Sequence, residues 1–304
     1  MLRGGTSMQG AYYCHNGELK PVDEARFALD DIELTHGYGC YETLKLRDGL
    51  VYFPEFHEER FLRSLSILGI GHTLSPGTLV AALGGLARAN GLRDANLKVL
   101  AIGRQHRPAD WYILALPPII PAPLAYERGV ACLLFRGERQ FPQAKSLSLL
   151  LSTIAYRKAL AEGCYDALLI NGRGELTEGT RMNLFYADGA AATAGRGPLY
   201  TPPAQDALEG ITRRTLMDAL AADGFPVVER PLRLDEALSG RFGLMVSSTS
   251  NKALPVCRLL PPDGPPVDLP LPGFFSAVLR SYDEYLRRYA RGPGMLDEGV
   301  QSSL

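Results

Sequence analysis

The segment Leu176-Thr-Glu-Gly-Thr-Arg-Met-Asn-Leu-Phe185 carries more information about the architecture of this 304-residue chain than any other. It follows a predicted strand at 167–171, which ends in the turn Gly172-Arg-Gly174, and it leads into a second predicted strand at 183–187. Between two strands, the carboxylate of Glu178 can be held rigidly. On these residues alone, an exposed turn glutamate is the favoured alternative.

Around this segment, strands and helices alternate irregularly and several hairpins occur, which predicts an α+β fold in two domains. The run Pro117-Pro-Ile-Ile-Pro-Ala-Pro123 favours an extended connector between them. The predicted parts are a disordered extension at 1–10, a small N-terminal α/β domain at 11–117, a Pro-rich linker at 118–125, a large C-terminal domain at 126–291 and a tail at 292–304.

Lys145 is one of only six lysines, against twenty-six arginines, and stands in Gln143-Ala-Lys-Ser-Leu-Ser-Leu-Leu-Leu151. We expect it between a strand at 129–135 and an apolar helix from about 146 to 162. Desolvation by the leucines would lower the pKa of the amine and prepare it for Schiff-base chemistry. A surface lysine whose stem lies on apolar neighbours is the alternative.

The segment Glu209-Gly-Ile-Thr-Arg-Arg214 is predicted to open a helix. The N–H groups of Ile211 and Thr212 would then point out of its first turn, where a phosphate binds readily. Ser248 and Thr249, in Ser247-Ser-Thr-Ser-Asn251, could add donors to the same anion. An ordinary helix start and a polar loop are the alternatives.

Taken in order, these segments resemble the fold-type IV pyridoxal-phosphate enzymes, which include branched-chain aminotransferases, D-amino-acid aminotransferases and aminodeoxychorismate lyases. The resemblance extends from about Tyr12 to Val256. Its motifs are Gly39-Cys-Tyr-Glu-Thr-Leu44, His57-Glu-Glu-Arg60, Lys145 followed by Gly163-Cys-Tyr-Asp-Ala-Leu168, Thr177-Glu-Gly-Thr180 with Asn183-Leu-Phe185, Leu199-Tyr-Thr-Pro-Pro203 with Gly210-Ile-Thr-Arg213, and Ser248-Thr-Ser250.

The resemblance implies a pyridoxal 5'-phosphate cofactor bound to Lys145, with Glu178 as partner of the pyridine nitrogen. It also implies that Lys145 moves a proton between the substrate Cα and the cofactor C4′. The phosphate ligands would be Arg60, Ile211, Thr212, Ser248 and Thr249. The family fold has a small N-terminal α/β domain and a larger domain with a mixed, barrel-like sheet. A homodimer is implied, in which the small domain of one subunit contributes to the pocket of the other.

The substrate divides the family. The early strand Tyr41-Glu-Thr-Leu44 and the segment Lys145-Ser-Leu-Ser-Leu-Leu150 look more like the D-amino-acid and lyase branches, whereas Ser248-Thr-Ser-Asn-Lys-Ala-Leu-Pro255 is closer to transaminases. We therefore expect a transaminase that acts on a D-amino acid or a branched-chain amino acid and a 2-oxo acid. An aminodeoxychorismate lyase is the alternative, and a non-catalytic family member is a third. Candidate substrate contacts are Tyr41, Arg104, His106, Arg107 and Ser250.

Composition argues against several other classes of protein. The formal net charge is -1 without a basic stripe, which argues against a nucleic-acid partner. No apolar run approaches the ~20 residues that span a bilayer. The five cysteines are scattered without a CxxC pair, so neither a disulfide framework nor a metal site is expected, and a cytoplasmic location is the simplest. All histidines precede position 107, which disfavours a Ser-His-Asp hydrolase centred on the second half.

Overall fold

The computed structural model describes residues 8–190, 198–225 and 227–292. The described chain divides into two compact units. The first contains residues 8–119, 144–148 and 286–292, and the second contains residues 120–143 and 149–285 except 191–197 and 226. The short segment 144–148, which includes Lys145, therefore belongs to the first unit although the chain on both sides of it belongs to the second.

The first unit is built on an antiparallel six-stranded sheet with the order β2-β1-β6-β5-β3-β4. The hairpin between β1 and β2 turns at Asn16 and Gly17, both with positive φ, as the Asn-Gly pair predicts. The strands are β1 Tyr12–His15, β2 Glu18–Pro21, β3 Gly39–Arg47, β4 Leu50–Val51, β5 Ala95–Ile102 and β6 Asp110–Leu116.

Three α-helices accompany this sheet: α1 Ile32–Thr35, α2 Pro54–Ile67 and α3 Thr78–Ala89. Along β3 the side chains alternate between buried and half-buried, so Cys40, Glu42, Leu44 and Leu46 share the core face. Phe61 and Leu65 of α2 belong to the same core. Glu42 is the one charged residue on the buried face of β3, and it needs a buried partner.

The second unit contains a ten-stranded mixed sheet, of which six strands form a closed ring in the order β10-β14-β15-β7-β8-β9. The pairing of Asn183 in β10 with Glu178 in β9 closes the ring. The barrel-like mixed sheet is therefore confirmed. The strands are β7 Val130–Arg136, β8 Asp166–Ile170, β9 Glu175–Gly179, β10 Asn183–Asp188, β11 Leu199–Thr201, β12 Val227–Glu229, β13 Leu232–Arg233, β14 Phe242–Ser248, β15 Lys252–Leu260 and β16 Val267–Asp268.

The remaining described α-helices are α4 Pro123–Arg128, α5 Leu150–Ala161, α6 Ile211–Ala222, α7 Leu234–Leu238 and α8 Phe274–Arg291. Helix α5 connects the parallel strands β7 and β8 and buries Ala155 and Ala159 against them. Among the described residues, no helix combines the length and apolar character needed to cross a membrane.

The predicted helix start near Ser146 is wrong, because α5 begins only at Leu150. Residues 145–147 instead run beside the start of β3. The N–H of Tyr41 donates to the C=O of Lys145 at 2.9 Å, and the N–H of Leu147 donates to the C=O of Gly39 at 2.9 Å. These are strand-type hydrogen bonds, which a helix through Ser146 would not allow.

Two further expectations need adjustment. The end of the predicted linker 118–125 is helical, since α4 begins at Pro123, and proline suits the first turn of a helix. In the predicted extension 1–10, the N–H of Gln9 donates to the C=O of Ala115 at 2.8 Å, so this residue is part of the fold. Residues 1–7, and the predicted tail apart from Gly292, lie outside the described residues.

Candidate functional site

Lys145 is fixed in the first unit by contacts on both sides of its backbone. Its C=O accepts from Tyr41, and its N–H donates to the Oγ of Ser64 on α2 at 3.1 Å. The half-buried side chain places Nζ 4.4 Å from the centre of the Tyr41 ring, a cation–π contact. Among the neighbouring leucines that were expected to desolvate the amine, Leu150 points outward from the start of α5 and is 73% exposed.

Beside this lysine segment, Glu42 holds Arg60 and His57 in a buried ionic network. Arg60 donates from Nε to Oε1 and from Nη2 to Oε2, each at 2.7 Å, and Nδ1 of His57 lies 2.7 Å from Oε2. Burial raises the pKa of Glu42, but the charges and hydrogen bonds of Arg60 and His57 outweigh it and leave that pKa well below its usual range. The carboxylate therefore stays ionised, and Nδ1 of His57 carries the proton in this contact.

The same network sets the state of His57. Burial lowers the pKa of its imidazole, and the positive charges of Arg60 and Lys145 lower it further, although Glu42 acts in the opposite direction. His57 is thus a neutral donor that orients the Glu42 carboxylate. Since Glu42 accepts from two nitrogens of the Arg60 guanidinium, the plane of that group is fixed too.

Glu178, in the second unit, is not an exposed turn residue, because only 5% of it is accessible to solvent. Its Oε1 accepts from Nη1 of Arg139 at 2.9 Å, and its Oε2 accepts from the N–H of Leu208 at 3.2 Å. The same Nη1 donates to the C=O of Pro142 at 3.0 Å. Both carboxylate oxygens are therefore held in place.

The start of α6 lies on the chain just after Leu208. Gly210 is its N-cap residue and provides no side-chain cap, and Ile211 and Thr212 are buried. A Cβ on Gly210 would lie 1.9 Å from Oδ1 of Asn183, so any other residue at this position would displace the Asn183 side chain. The first turn of α6 therefore has backbone donors and close support from Asn183.

The turn between β14 and β15 contains the three predicted hydroxyl residues Ser248, Thr249 and Ser250, all half-buried. Ser248 donates from Oγ to Oδ1 of Asn251 at 2.8 Å. The preceding residue, Ser247, is fully buried, and its Oγ has no hydrogen-bond partner among the described residues. A buried hydroxyl without a partner indicates a place where a ligand atom can bind.

The predicted substrate contacts fall into two groups. Tyr41 lies under Lys145, as described above. Arg104 and Arg107 instead meet on Asp110, which accepts from Arg104 Nε at 2.8 Å and from both terminal nitrogens of Arg107 at 2.6 Å. Nη1 of Arg104 also donates to Asp31 at 2.7 Å. The two guanidinium charges are thus compensated within the first unit, and His106 is exposed.

The hydrogen bonds from Arg107 are the largest influence on Asp110. They lower the pKa of its carboxyl well below the usual range against the effect of burial, and Arg104 and Asn16 contribute in the same direction. A substrate carboxylate that bound to Arg104 or Arg107 would have to compete with this ionised group.

Sequence reasoning gave no role to Glu42, His57, Arg139 or Asn183. A signal existed for Glu42, since it interrupts the apolar face of an alternating strand. No local pattern marks Arg139, because its contact with Glu178 joins residues that lie 39 positions apart.

Comparison with known proteins places this geometry in context. Residues 39–259 match the family model described as "Amino-transferase class IV". The chain is 28% identical over 289 residues to a D-alanine aminotransferase of Staphylococcus aureus, covering 90% of this chain and 96% of that protein. It is 26% identical over 235 residues to the "Probable branched-chain-amino-acid aminotransferase" of Rickettsia conorii, covering 73% of this chain and 78% of the relative.

Solved structures share the fold. The Escherichia coli branched-chain amino acid aminotransferase superposes with a TM-score of 0.79 at 22% identity, covering 96% of this chain and 98% of that one. The PLP-bound form of a hypothetical aminotransferase from Mycobacterium tuberculosis gives a TM-score of 0.73 at 22% identity, covering 92% of this chain and 100% of that one.

Proposed function

Because this chain belongs to the class IV aminotransferase family, we propose that Lys145 is the lysine that binds its pyridoxal 5'-phosphate and acts as its proton carrier. Class IV aminotransferases are pyridoxal-phosphate enzymes that move an amino group between an amino acid and a 2-oxo acid. The observation that supports Lys145 most directly is its fixed backbone together with an Nζ seated on the Tyr41 ring.

The residues of the second unit fit such a cofactor chemically. Glu178 offers a buried carboxylate to a pyridine nitrogen, which stays protonated beside a fixed negative charge. A side chain at Gly210 would collide with Asn183, so only backbone occupies the start of α6. The first turn of this helix offers the amides of Ile211 and Thr212 to a phosphate. The buried Oγ of Ser247, which has no hydrogen-bond partner among the described residues, is suited to a further polar atom.

When bound, pyridoxal 5'-phosphate supplies a ring that accepts the electron pair released at the substrate Cα. Once the substrate amine had displaced it from the cofactor, the free Lys145 Nζ would take the proton from Cα and return it at C4′, acting as a base and afterwards as an acid. The negatively charged carboxylate of Glu178 would stay beside the protonated ring nitrogen throughout the reaction. The ring of Tyr41, against which the Lys145 amine lies, restricts the positions that this amine can take.

Phosphate binding is assigned to Arg60, the amides of Ile211 and Thr212, and the hydroxyls of Ser248 and Thr249. A guanidinium has five N–H donors, and Glu42 accepts from Nε and from Nη2 of Arg60. The rigid Glu42 contact would hold the cation ready without a loss of side-chain entropy when the anion binds.

For the substrate, we propose a D-amino acid or a branched-chain amino acid with a 2-oxo acid as acceptor. Relatives with both kinds of name match the chain over most of its length. Nothing in these matches supports the lyase alternative. Tyr41 and Ser250 are the proposed substrate contacts. Arg104, His106 and Arg107 stay predictions, and the ion pairs with Asp110 count against the two arginines.

We also propose a homodimer in the cytoplasm. Phe27, Leu29 and Ile32 are 43%, 100% and 61% exposed, and such an apolar surface is normally covered in solution. Five free cysteines suit a reducing compartment. Sedimentation of the full chain and of Leu29→Asp tests the dimer, which the variant should weaken. A monomeric parent protein would contradict it.

A half-reaction panel tests the proposed chemistry. The full chain is loaded with pyridoxal 5'-phosphate, and its visible absorbance is followed on addition of D-alanine, L-leucine or glutamate. Conversion to the aminated cofactor with at least one donor is expected, and none with Lys145→Ala. Lys158→Ala, at an exposed lysine of α5, is the matched control and should behave like the parent. Lysine-bound cofactor absorbance that survives in Lys145→Ala would refute the assignment.

A further inference from the structure

We infer that Asn183 is a positioning residue that ties the start of α6 to Glu178 and thereby makes the site selective for the phosphorylated form of its cofactor. The inference rests on the proposed function, in which Glu178 holds the ring nitrogen and the first turn of α6 holds the phosphate. Asn183 would act through its contacts with Leu208 and Gly210. It would thereby set the spacing of the two protein groups that hold the cofactor.

The first step is the position of Asn183 in the sheet. It is the first residue of β10, and its partner across the strands is Glu178 in β9. On its other side it pairs with Ser247 in β14. Residues directly opposite each other on neighbouring strands project to the same face. Glu178, Asn183 and Ser247 therefore form a polar row on one face of the closed ring of strands.

The second step is the shared contact with Leu208. Nδ2 of Asn183 donates to the C=O of Leu208 at 2.6 Å, and the N–H of Leu208 donates to Oε2 of Glu178 at 3.2 Å. Both backbone polar groups of one residue are thus held by two paired residues of the sheet. These two hydrogen bonds restrain the position and the orientation of the Leu208 backbone.

The third step leads from Leu208 to the helix. Gly210, two residues later, has φ −67°, which any residue can adopt, so its glycine is required by space and not by backbone conformation. The space is taken by Asn183, whose Oδ1 would lie 1.9 Å from a Cβ at Gly210. The side chain of Asn183 therefore supports the helix start directly as well as through Leu208.

An independent observation indicates that a ligand binds along this row. Ser247 is fully buried, and its Oγ has no hydrogen-bond partner in the described part of the chain. Leaving a buried hydroxyl without a hydrogen bond is destabilising. Because Ser247 pairs with Asn183, a ligand atom that accepted or donated a hydrogen bond to the Ser247 hydroxyl would lie next to Asn183.

The consequence is a difference between two ligands. Pyridoxal 5'-phosphate must reach the Glu178 carboxylate and the α6 amides at once, so its affinity depends on their spacing. Pyridoxal, which has no phosphate, depends on Glu178 and not on the helix start. Loosening the helix start should therefore weaken the binding of pyridoxal 5'-phosphate and leave the binding of pyridoxal nearly unchanged.

The test compares the dissociation constants of both ligands for the apo form of the full chain, measured by calorimetry, in the parent protein, Asn183→Ala and Gly210→Ala. We expect the constant for pyridoxal 5'-phosphate to rise at least about tenfold in both variants, with that for pyridoxal within about twofold of the parent. Asn171→Ala, at another buried asparagine of the second unit, is the matched control and should change neither.

Equal weakening of both ligands in Asn183→Ala would overturn the inference, since it would show that Asn183 only maintains the sheet. Unchanged binding of both ligands would overturn it as well. If Asn183→Ala does not fold, Gly210→Ala disturbs the same contact from the helix side and decides alone. Failure of the proposed function is distinguishable, because the parent chain itself would then bind no pyridoxal 5'-phosphate.

Discussion

Arg60 and Glu42 form a buried ion pair with two parallel hydrogen bonds of 2.7 Å, and the Glu42 side chain is completely shielded from solvent. The pair joins the middle of β3 to the middle of α2, the two elements that also hold the backbone of Lys145. A bidentate arginine–carboxylate pair adds geometric precision as well as energy. The network that fixes Arg60 therefore also stabilises the surroundings of Lys145.

We expect Glu42→Gln to lower the free energy of unfolding by roughly 3–5 kcal/mol, because it leaves the buried Arg60 charge without its counterion. Urea denaturation of the full chain measures this loss. Glu18→Gln, at an exposed ion pair with Lys20, is the control and should have little effect. Equal stability of Glu42→Gln and the parent would show that Arg60 finds another counterion.

His57 should make the protein less stable in mild acid. Burial holds the pKa of the folded-state imidazole below the ordinary 6.5, so the unfolded chain binds a proton at a pH where the folded chain does not. The contribution of neutral His57 is complete above about pH 6.5 and is lost as the pH falls below it. As the pH is lowered from 8 to 5, the denaturation midpoint of His57→Asn should fall less steeply than that of the parent protein. His72→Asn, at an exposed histidine, should keep the parent slope.

Glu178→Gln should retain the cofactor but slow turnover sharply, since a neutral amide does not keep the ring nitrogen protonated. Cofactor content by absorbance and steady-state turnover measure the two effects separately. Glu175→Gln, on the same strand, is the control for a lost carboxylate. Parent-like turnover in Glu178→Gln would mean that another group holds the ring nitrogen.

Arg139 should affect the reaction through Glu178. In Arg139→Met the stem is kept while the ion pair of 2.9 Å is lost, so Glu178 Oε1 is no longer oriented. We expect kcat to fall about tenfold, which corresponds to 1.4 kcal/mol, with little change in KM for the amino donor. Arg139→Lys should recover part of the loss. Arg173→Met, at an exposed arginine, should keep the parent kcat.

Arg104 provides a test of the substrate-binding predictions. Because Asp31 and Asp110 already engage its guanidinium, Arg104→Gln should lower the melting temperature and leave KM for the amino donor within about twofold. A tenfold rise in KM at unchanged stability would instead favour a contact between Arg104 and the substrate carboxylate.

Much of this description could be predicted from local sequence. The Asn16-Gly17 hairpin and the order of the motifs around Lys145 and Glu178 depend on turn chemistry and spacing, which neighbouring residues determine. The helix predicted from Ser146 failed for a physical reason. Hydrogen bonds with Gly39 and Tyr41, over a hundred residues away, override the helical preference of a leucine-rich segment.

The sequence by itself determined the family and the mixed, barrel-like sheet, and it predicted Lys145 and Glu178 as functional residues, because these inferences depend on residue type and order. Only the tertiary structure decided the partners of those groups. Glu42 on Arg60, Arg139 on Glu178, and Asn183 on Leu208 are contacts between residues 18, 39 and 25 positions apart. No periodic pattern encodes such pairs, because a buried charge or amide is satisfied by whichever group the folded chain brings within hydrogen-bond distance.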